Sequence, residues 1–277
     1  MTKKELAPKI KLFEITAPEI AAKAQAGQFV ILRIDEVGER FPLTLFDWNK
    51  KKGTITLIFL EVGVSTERLG QLKENDTILD VVGPLGKPSE IMRYNMVCVV
   101  GGGVGAASAY PIARAFKEAG SKVVAIVGAK TANMLILENE LKSASNELII
   151  TTDDGTKGQK GFVSDALKKL IDNGYKFDAV YAIGPTVMMR AVANTTKPFN
   201  LKTIVSLNPI MVDGMGMCGA CRVTVDGKTK FACVDGPEFD AHNVDFAELM
   251  ERQRGFVAEE KMSLKLLQEK RCTCEHQ

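Results

Sequence analysis

The chain has 277 residues, 45% hydrophobic and 25% charged, the proportions of a water-soluble globular protein with about two domains. With 36 basic and 34 acidic residues the net charge is only +2, which excludes the strong basic excess of a dedicated nucleic-acid binder. The opening MTKKELAPKI lacks the apolar core of a signal peptide, and the long uncharged stretch 95–113 holds four glycines, a serine and a proline. It reads as strand, turn and helix, so neither export nor a membrane span is predicted. Six cysteines are too sparse for a disulfide scaffold; they point to a cytoplasmic chain whose cysteines serve as metal ligands or redox groups.

Three parts follow in order: residues 1–92, 93–205 and 206–277. In the first, GQFVILRI (27–34), TITLIFLEV (54–62) and DTILDVVGPLG (76–86) are short apolar-alternating runs that predict a small antiparallel β barrel. STERLGQLKEN (65–75) is its one clear helical stretch. In the second, MVCVVGG, KVVAIVGAK, NELIITTDD, FDAVYAIGP and KTIVSL alternate with AASAYPIARAFKEAG, ANMLILENELKSAS, GFVSDALKKLIDNG and PTVMMRAVANTT. That alternation predicts an α/β domain with a parallel sheet covered on both faces. The third part is rich in Gly and Cys to about residue 240, then reads as helix over 246–270.

The sharpest signal is MVDGMGMCGACRVTVDGKTKFACVDG, in which Asp213, Cys218, Cys221 and Cys233 are spaced x4, x2 and x11. Plant-type [2Fe–2S] proteins use Cys-x4-Cys-x2-Cys with a more distant fourth Cys; here Asp takes the first place. RVTVDGKTKFACV predicts a hairpin turning at Asp226-Gly227 that returns Cys233 to the loop. A zinc site made from the three cysteines and Asp213 or a histidine is the blander alternative, and unliganded buried cysteines a third. Cys98, inside an apolar run, reads as core; Cys272 and Cys274 read as a free pair.

VCVVGGGVGAA places Gly102, Gly103, Val104 and Gly105 between a strand and a helix, a setting in which unpaired N–H groups and the helix dipole favour a diphosphate. AIGPTVMM, with Gly184, Pro185 and Met188, and TTDDGTKGQKG, with Asp153 and Asp154, also sit at strand ends. All three turns are predicted on one edge of the sheet. Asp153 and Asp154 would hold a ribose 2′-hydroxyl, as in NAD, whereas Lys130 and Lys157 would read a 2′-phosphate.

A barrel followed by GGGVGAA and IGPTVMM resembles the ferredoxin–NADP reductase superfamily, and the cysteine segment narrows the resemblance. The order is similar to the electron-transfer subunit of dihydroorotate dehydrogenase. VSLNPIMVDGMGMCGACRV, with Asp in the first ligand place, resembles still more the small-subunit family of NADH-dependent reduced ferredoxin:NADP oxidoreductases. The resemblance implies FAD in the barrel. Its Arg-x-Tyr-Ser/Thr flavin motif falls on RFPLTL, so that Arg40, Pro42, Leu43 and Thr44 stand at or beside its places, with Leu43 where the stacking aromatic would be. Its second flavin segment falls on Leu60, Val62, Gly63, Ser65 and Thr66. The Cys-Gly-Pro of the family is Ile183-Gly184-Pro185 here, so no cysteine acid-base role follows. The cofactors implied are FAD, a [2Fe–2S] cluster and NAD(H), and the catalytic groups are the cofactors themselves. The function implied is electron transfer within an electron-bifurcating complex whose larger partner carries FAD and [4Fe–4S] clusters. Membership of a dihydroorotate dehydrogenase, whose family places Cys where Asp213 stands, and a non-catalytic module of the same fold are the alternatives.

Overall fold

A computed structural model describes the chain from Thr2 to Cys274, with side chains through Glu269; the Cys272 and Cys274 thiols fall outside the described side chains. The first part contains β1 (Thr2–Ala7), β2 (Ile10–Thr16), α1 (Pro18–Lys23), β3 (Phe29–Arg33), β4 (Phe41–Asn49), β5 (Thr54–Leu60), α2 (Val64–Gln71) and β6 (Asp80–Leu85). The strands form one antiparallel sheet in the order β1-β2-β5-β4-β3-β6. Register shifts between Leu45 and Asp47 and between Phe29 and Ile31 bend it, as bulges do, and it wraps around Phe13, Val30, Leu32, Leu45, Ile55, Leu57 and Phe59. Ile55, Leu57 and Phe59 alternate toward this core. The intervening Ile58, with Phe46, packs instead against Ala106, Ala107 and Val127 of the second part. Burial on both faces is why TITLIFL carries more apolar residues than a half-exposed strand needs. α1, begun by Pro18, is a second helix in this part beside the expected one, which ends at Gln71.

The second part runs β7 (Met96–Gly102), α3 (Gly105–Glu118), β8 (Lys122–Ala129), α4 (Glu138–Ala144), β9 (Glu147–Thr152), β10 (Gln159–Lys160), α5 (Val163–Asp172), β11 (Ala179–Ile183), α6 (Thr186–Thr196) and β12 (Thr203–Ser206). Its strands are parallel in the order β10-β9-β8-β7-β11-β12. The expected helix over ANMLILENELKSAS starts only at Glu138. The residues before it form a 3₁₀ turn, and Leu137, left-handed at φ 61°, turns its side chain into the core. Cys98 is fully buried in β7, and burial raises its thiol pKa, as a core residue requires.

The third part adds β13 (Arg222–Val225), β14 (Lys228–Phe231), α7 (Ala232–Asp235), β15 (Glu238–Asp240), α8 (Phe246–Gln253) and α9 (Val257–Cys274). β15 pairs antiparallel with β12, Val205 facing Phe239. The single helix expected over 246–270 is two. α8 is capped by the Asp245 carboxylate, which accepts from the Ala247 and Glu248 N–H groups, and buries Phe246 and Leu249. The chain then breaks around Gly255. No described helix is long and apolar enough to cross a membrane.

Segment 86–89 ties the first part to the third. The Ser89 N–H donates to Ala26 O (2.8 Å) and the Lys87 N–H to Gly236 O (2.7 Å), while the Ser89 hydroxyl donates to Glu238 Oε1 (2.5 Å). The Glu238 carboxyl is pushed up to about 7, chiefly by burial, with the Ser89 hydrogen bond opposing. A raised carboxyl pKa in the folded state gives stability that is present at low pH and lost as pH rises. Denaturant titrations should therefore show wild-type stability falling by roughly 2–3 kcal/mol as pH rises from about 4.5 to about 7 because of this group. In Glu238→Gln the fall should be absent, leaving the variant the more stable chain at pH 8.

Candidate redox and nucleotide sites

In the barrel, Pro42, Leu43 and Thr44 lie in β4 and pair with Ile31, Val30 and Phe29 of β3. Arg40 is exposed just before the strand. Leu60 ends β5, Val62 is exposed, and Gly63 is the N-cap of α2 with open space beside it. The two hydroxyls do different work here. Thr66 Oγ1 accepts from the Val62 and Gly63 N–H groups (3.0 and 3.1 Å), closing the helix start. Ser65 Oγ donates to Glu39 Oε2 (3.1 Å), which brings the residue next to Arg40 to the first turn of α2. Helix geometry leaves the first-turn N–H groups without intrahelical acceptors, so this turn and Arg40 are the groups that fit a diphosphate.

On the parallel sheet, β7 is flanked by β8 on one side and β11 on the other. The crossing between the two sides follows β10, the edge strand beside β9, and makes a switch point, where α/β sheets open a crevice at the strand ends. The two turns beside it interlock. A Cβ on Gly105 would stand 2.4 Å from Ile183 O and 2.8 Å from Gly184 Cα, and one on Gly102 would stand 2.2 Å from Met188 Sδ and 3.2 Å from Pro185 Cδ. Most of these glycines therefore serve packing between turns. Gly103, left-handed at φ 57°, faces open space and leaves bare backbone with room beside it for a phosphate; Val104 leads into α3. At the end of β9, Asp153 and Asp154 are exposed. The Asp154 carboxylate accepts from the Thr156 hydroxyl (2.7 Å) and N–H (2.9 Å), which hold its pKa below the ordinary value. Lys157 is paired with Glu138, a partner that sequence spacing did not suggest.

The cysteine loop closes as the hairpin predicted. Asp226 and Gly227 both adopt positive φ between β13 and β14, and the Cys221 and Cys233 sulfurs come to 3.1 Å, both buried. Burial first, then the Cys221 thiol, pushes the Cys233 thiol up to about 12, so binding a metal must displace its proton. Cys218 is exposed on the same loop. Asp213 has a role the sequence did not reveal: its carboxylate accepts from the Met215 (2.9 Å), Met217 (3.1 Å) and Cys218 (2.7 Å) N–H groups. These bonds, Met215's first, lower its pKa. No three His, Cys, Asp or Glu side chains among the described residues converge as a finished metal site. The two paired sulfurs and the third thiol three residues away are nonetheless a soft, anionic donor set of the kind iron clusters take.

The loop also lies against the barrel. A Cβ on Gly214, left-handed at φ 73°, would stand 2.7 Å from both Ile31 Cγ1 and Leu85 Cδ1. Ile31 is the register partner of Pro42, so the cysteine loop and the segment expected to hold flavin share one strand, β3.

Residues 208–245 match the iron-sulfur cluster binding domain of dihydroorotate dehydrogenase B, and residues 99–194 match the oxidoreductase NAD-binding domain. A dihydroorotate dehydrogenase B electron transfer subunit homolog from Thermotoga maritima is 49% identical, covering 94% of this chain and 93% of its own. The chain belongs to the dihydroorotate dehydrogenase B electron-transfer subunit family. A member from Fusobacterium nucleatum is 32% identical over 79% of this chain and 86% of its own. A chain in the structure of the NADH-dependent reduced ferredoxin-NADP oxidoreductase superposes with TM-score 0.91 at 48% identity, covering 96% of each. The fold is ferredoxin reductase-like, and the chain is an oxidoreductase electron-transfer subunit with an iron–sulfur cluster binding domain and an NAD-binding domain.

Two outcomes follow for this family member. Gly105→Ala, which drives a methyl into the Ile183–Gly184 backbone, should cost about 2–3 kcal/mol by thermal melting and weaken nucleotide binding. Asp213→Ala returns three loop amides to water; it should cost about 1–2 kcal/mol and speed iron loss to a chelator.

Proposed function

We propose that this chain is the small subunit of a flavin-based electron-bifurcating NADH-dependent ferredoxin:NADP oxidoreductase. The supporting observation is the superposition at TM-score 0.91 and 48% identity, which extends over 96% of the chain. Relatives bearing the dihydroorotate dehydrogenase B electron transfer subunit name without the word homolog, such as those of Fusobacterium nucleatum and Bacillus caldolyticus, are 32% and 35% identical, while the Thermotoga homolog is 49% identical. That gap favours the bifurcating reading over a dihydroorotate dehydrogenase.

On this reading Gly102, Gly103, Val104, Gly105, Gly184, Pro185 and Met188 form the nucleotide crevice, with Asp153 and Asp154 at its ribose end. Arg40, the Pro42–Thr44 strand and the Leu60–Thr66 segment hold FAD, and Ser65 exchanges Glu39 for the diphosphate. Asp213, Cys218, Cys221 and Cys233 hold the cluster. A bound flavin accepts hydride as an electron pair and passes electrons on singly, which joins a pyridine nucleotide to an iron–sulfur centre. The chain supplies no general acid; its residues orient the nucleotide and bring the cysteine loop to β3. A larger flavoprotein subunit with FAD and [4Fe–4S] clusters is the partner. Met215 and Met217, 55% and 84% exposed, rim the loop and are the contact surface that this partner covers. The sparse cysteines fit a cytoplasmic site of action.

The test is reconstitution. The isolated chain should yield FAD on acid extraction, and iron and sulfide each at about two per chain. It should reduce artificial acceptors with NADH much faster than with NADPH, and it should not couple NADPH to ferredoxin unless the larger subunit is added. Cys221→Ala should lose the iron while keeping FAD and flavin reduction by NADH. FMN in place of FAD, zinc in place of iron, or a complete coupled reaction by the chain alone would each refute the reading.

A further inference from the structure

On the carboxyl edge of the parallel sheet, one ion pair is left over once the nucleotide residues are assigned. β8 and β9 end side by side, and the loops beyond them are joined. The Asp153 N–H donates to Ala129 O (3.1 Å), the Asp154 N–H to Lys130 O (3.3 Å), and the Ala132 N–H to Thr156 Oγ1 (2.9 Å). Lys157 lies later in the same loop, before β10, and its backbone is folded back onto the strand end. Thr152 Oγ1 accepts from the Lys157 N–H (3.0 Å) and donates to Lys157 O (2.8 Å). The Lys157 ammonium then meets both oxygens of Glu138, at 2.7 and 2.8 Å.

Glu138 is held where this pair requires it. It is the first residue of α4, where the helix dipole favours an anion. The buried, left-handed Leu137 before it fixes the direction in which it leaves the core. The Asp154 carboxylate, by contrast, is turned onto Thr156 within its own loop. The edge thus presents an ammonium whose charge is already matched by a two-oxygen partner.

A dinucleotide laid across the glycine turn extends its adenosine ribose along this edge. A ribose 2′-phosphate gains from an available cation, and a 2′-hydroxyl does not. We infer that Glu138 is a specificity-determining positioning residue: by holding Lys157 it withholds that ammonium from a 2′-phosphate and biases the edge toward a nucleotide with a free 2′-hydroxyl. The inference rests on the assignment of the pyridine nucleotide to this edge. Lys130 stands on the same edge, so what Glu138 sets is the ratio between the two nucleotide classes, whatever the absolute preference.

The test is calorimetric titration of the full chain with adenosine 5′-monophosphate and with adenosine 2′,5′-bisphosphate. Glu138→Gln should tighten the bisphosphate about tenfold and leave the monophosphate unchanged, which also reports that the variant is folded. Glu138→Asp should keep the wild-type ratio, and adding Lys157→Gln to Glu138→Gln should abolish the gain. In the FAD-loaded chain, the ratio of flavin reduction rates with NADPH and NADH should move in the same order. A ratio unmoved by Glu138→Gln, or a gain that survives Lys157→Gln, overturns the inference while the nucleotide assignment stands. Binding of neither probe by wild-type overturns both.

Discussion

The missing side chain at Gly214 is the constraint on which the arrangement turns. Electron transfer between two centres weakens steeply with distance, so a cluster loop must lie against the flavin barrel rather than merely near it. Any Cβ at this left-handed position would meet Ile31 and Leu85 at 2.7 Å, inside van der Waals contact. The surrounding bonds preserve that approach. Segment 86–89 is bonded to Ala26 on the barrel side and to Gly236 and Glu238 on the cysteine side. The Asp213 carboxylate gathers three loop amides just before the cysteines. The hairpin between β13 and β14 sets the depth at which Cys233 meets Cys221.

The nucleotide crevice obeys the same economy of space. Its two turns touch backbone to backbone at Gly105 and Gly184, which leaves Gly103 as the open point of approach. The barrel is locked to this domain by aromatic and charged contacts along α3. Phe46 stacks on Tyr110 with ring centroids 5.0 Å apart, and Arg114 lies over Trp48 and Tyr110 while pairing with Asp47 at 2.9 Å. Strand β4 of the barrel is therefore packed directly on α3 of the nucleotide domain.

Much of this was legible in the chain before folding. The apolar runs of β7, β8 and β11 announce a parallel sheet because central strands are buried on both faces. Asp226-Gly227 announces its hairpin because both positions need positive φ. The x4, x2, x11 spacing announces the cysteine loop. What stayed hidden depends on partners distant in sequence. β15 is three residues long and exists only because β12 is beside it. The 246–270 stretch reads as continuous helix, yet α8 stops at the turn around Gly255, and Phe246 and Leu249 are buried in its first half. Asp213 reads as a ligand from spacing alone; its bonds to the loop amides emerge only from the folded turn. Thr66 reads as a phosphate donor, yet its hydroxyl closes α2, and Ser65 faces Glu39 across 26 residues of chain. The Glu138–Lys157 pair has no local signature.

The pairing of β15 with β12 bears on modularity. The iron–sulfur segment looks like an addition to a finished reductase, but it supplies the last strand of the nucleotide sheet. Without it, the backbone groups of Thr203–Ser206 would form an unprotected edge, the kind of surface that recruits strands from other molecules. A chain ended after β12 would thus lose more than a redox centre: it would gain an adhesive border. The cluster segment and the reductase share one sheet, and a lineage that discarded the iron would still have reason to keep the strand.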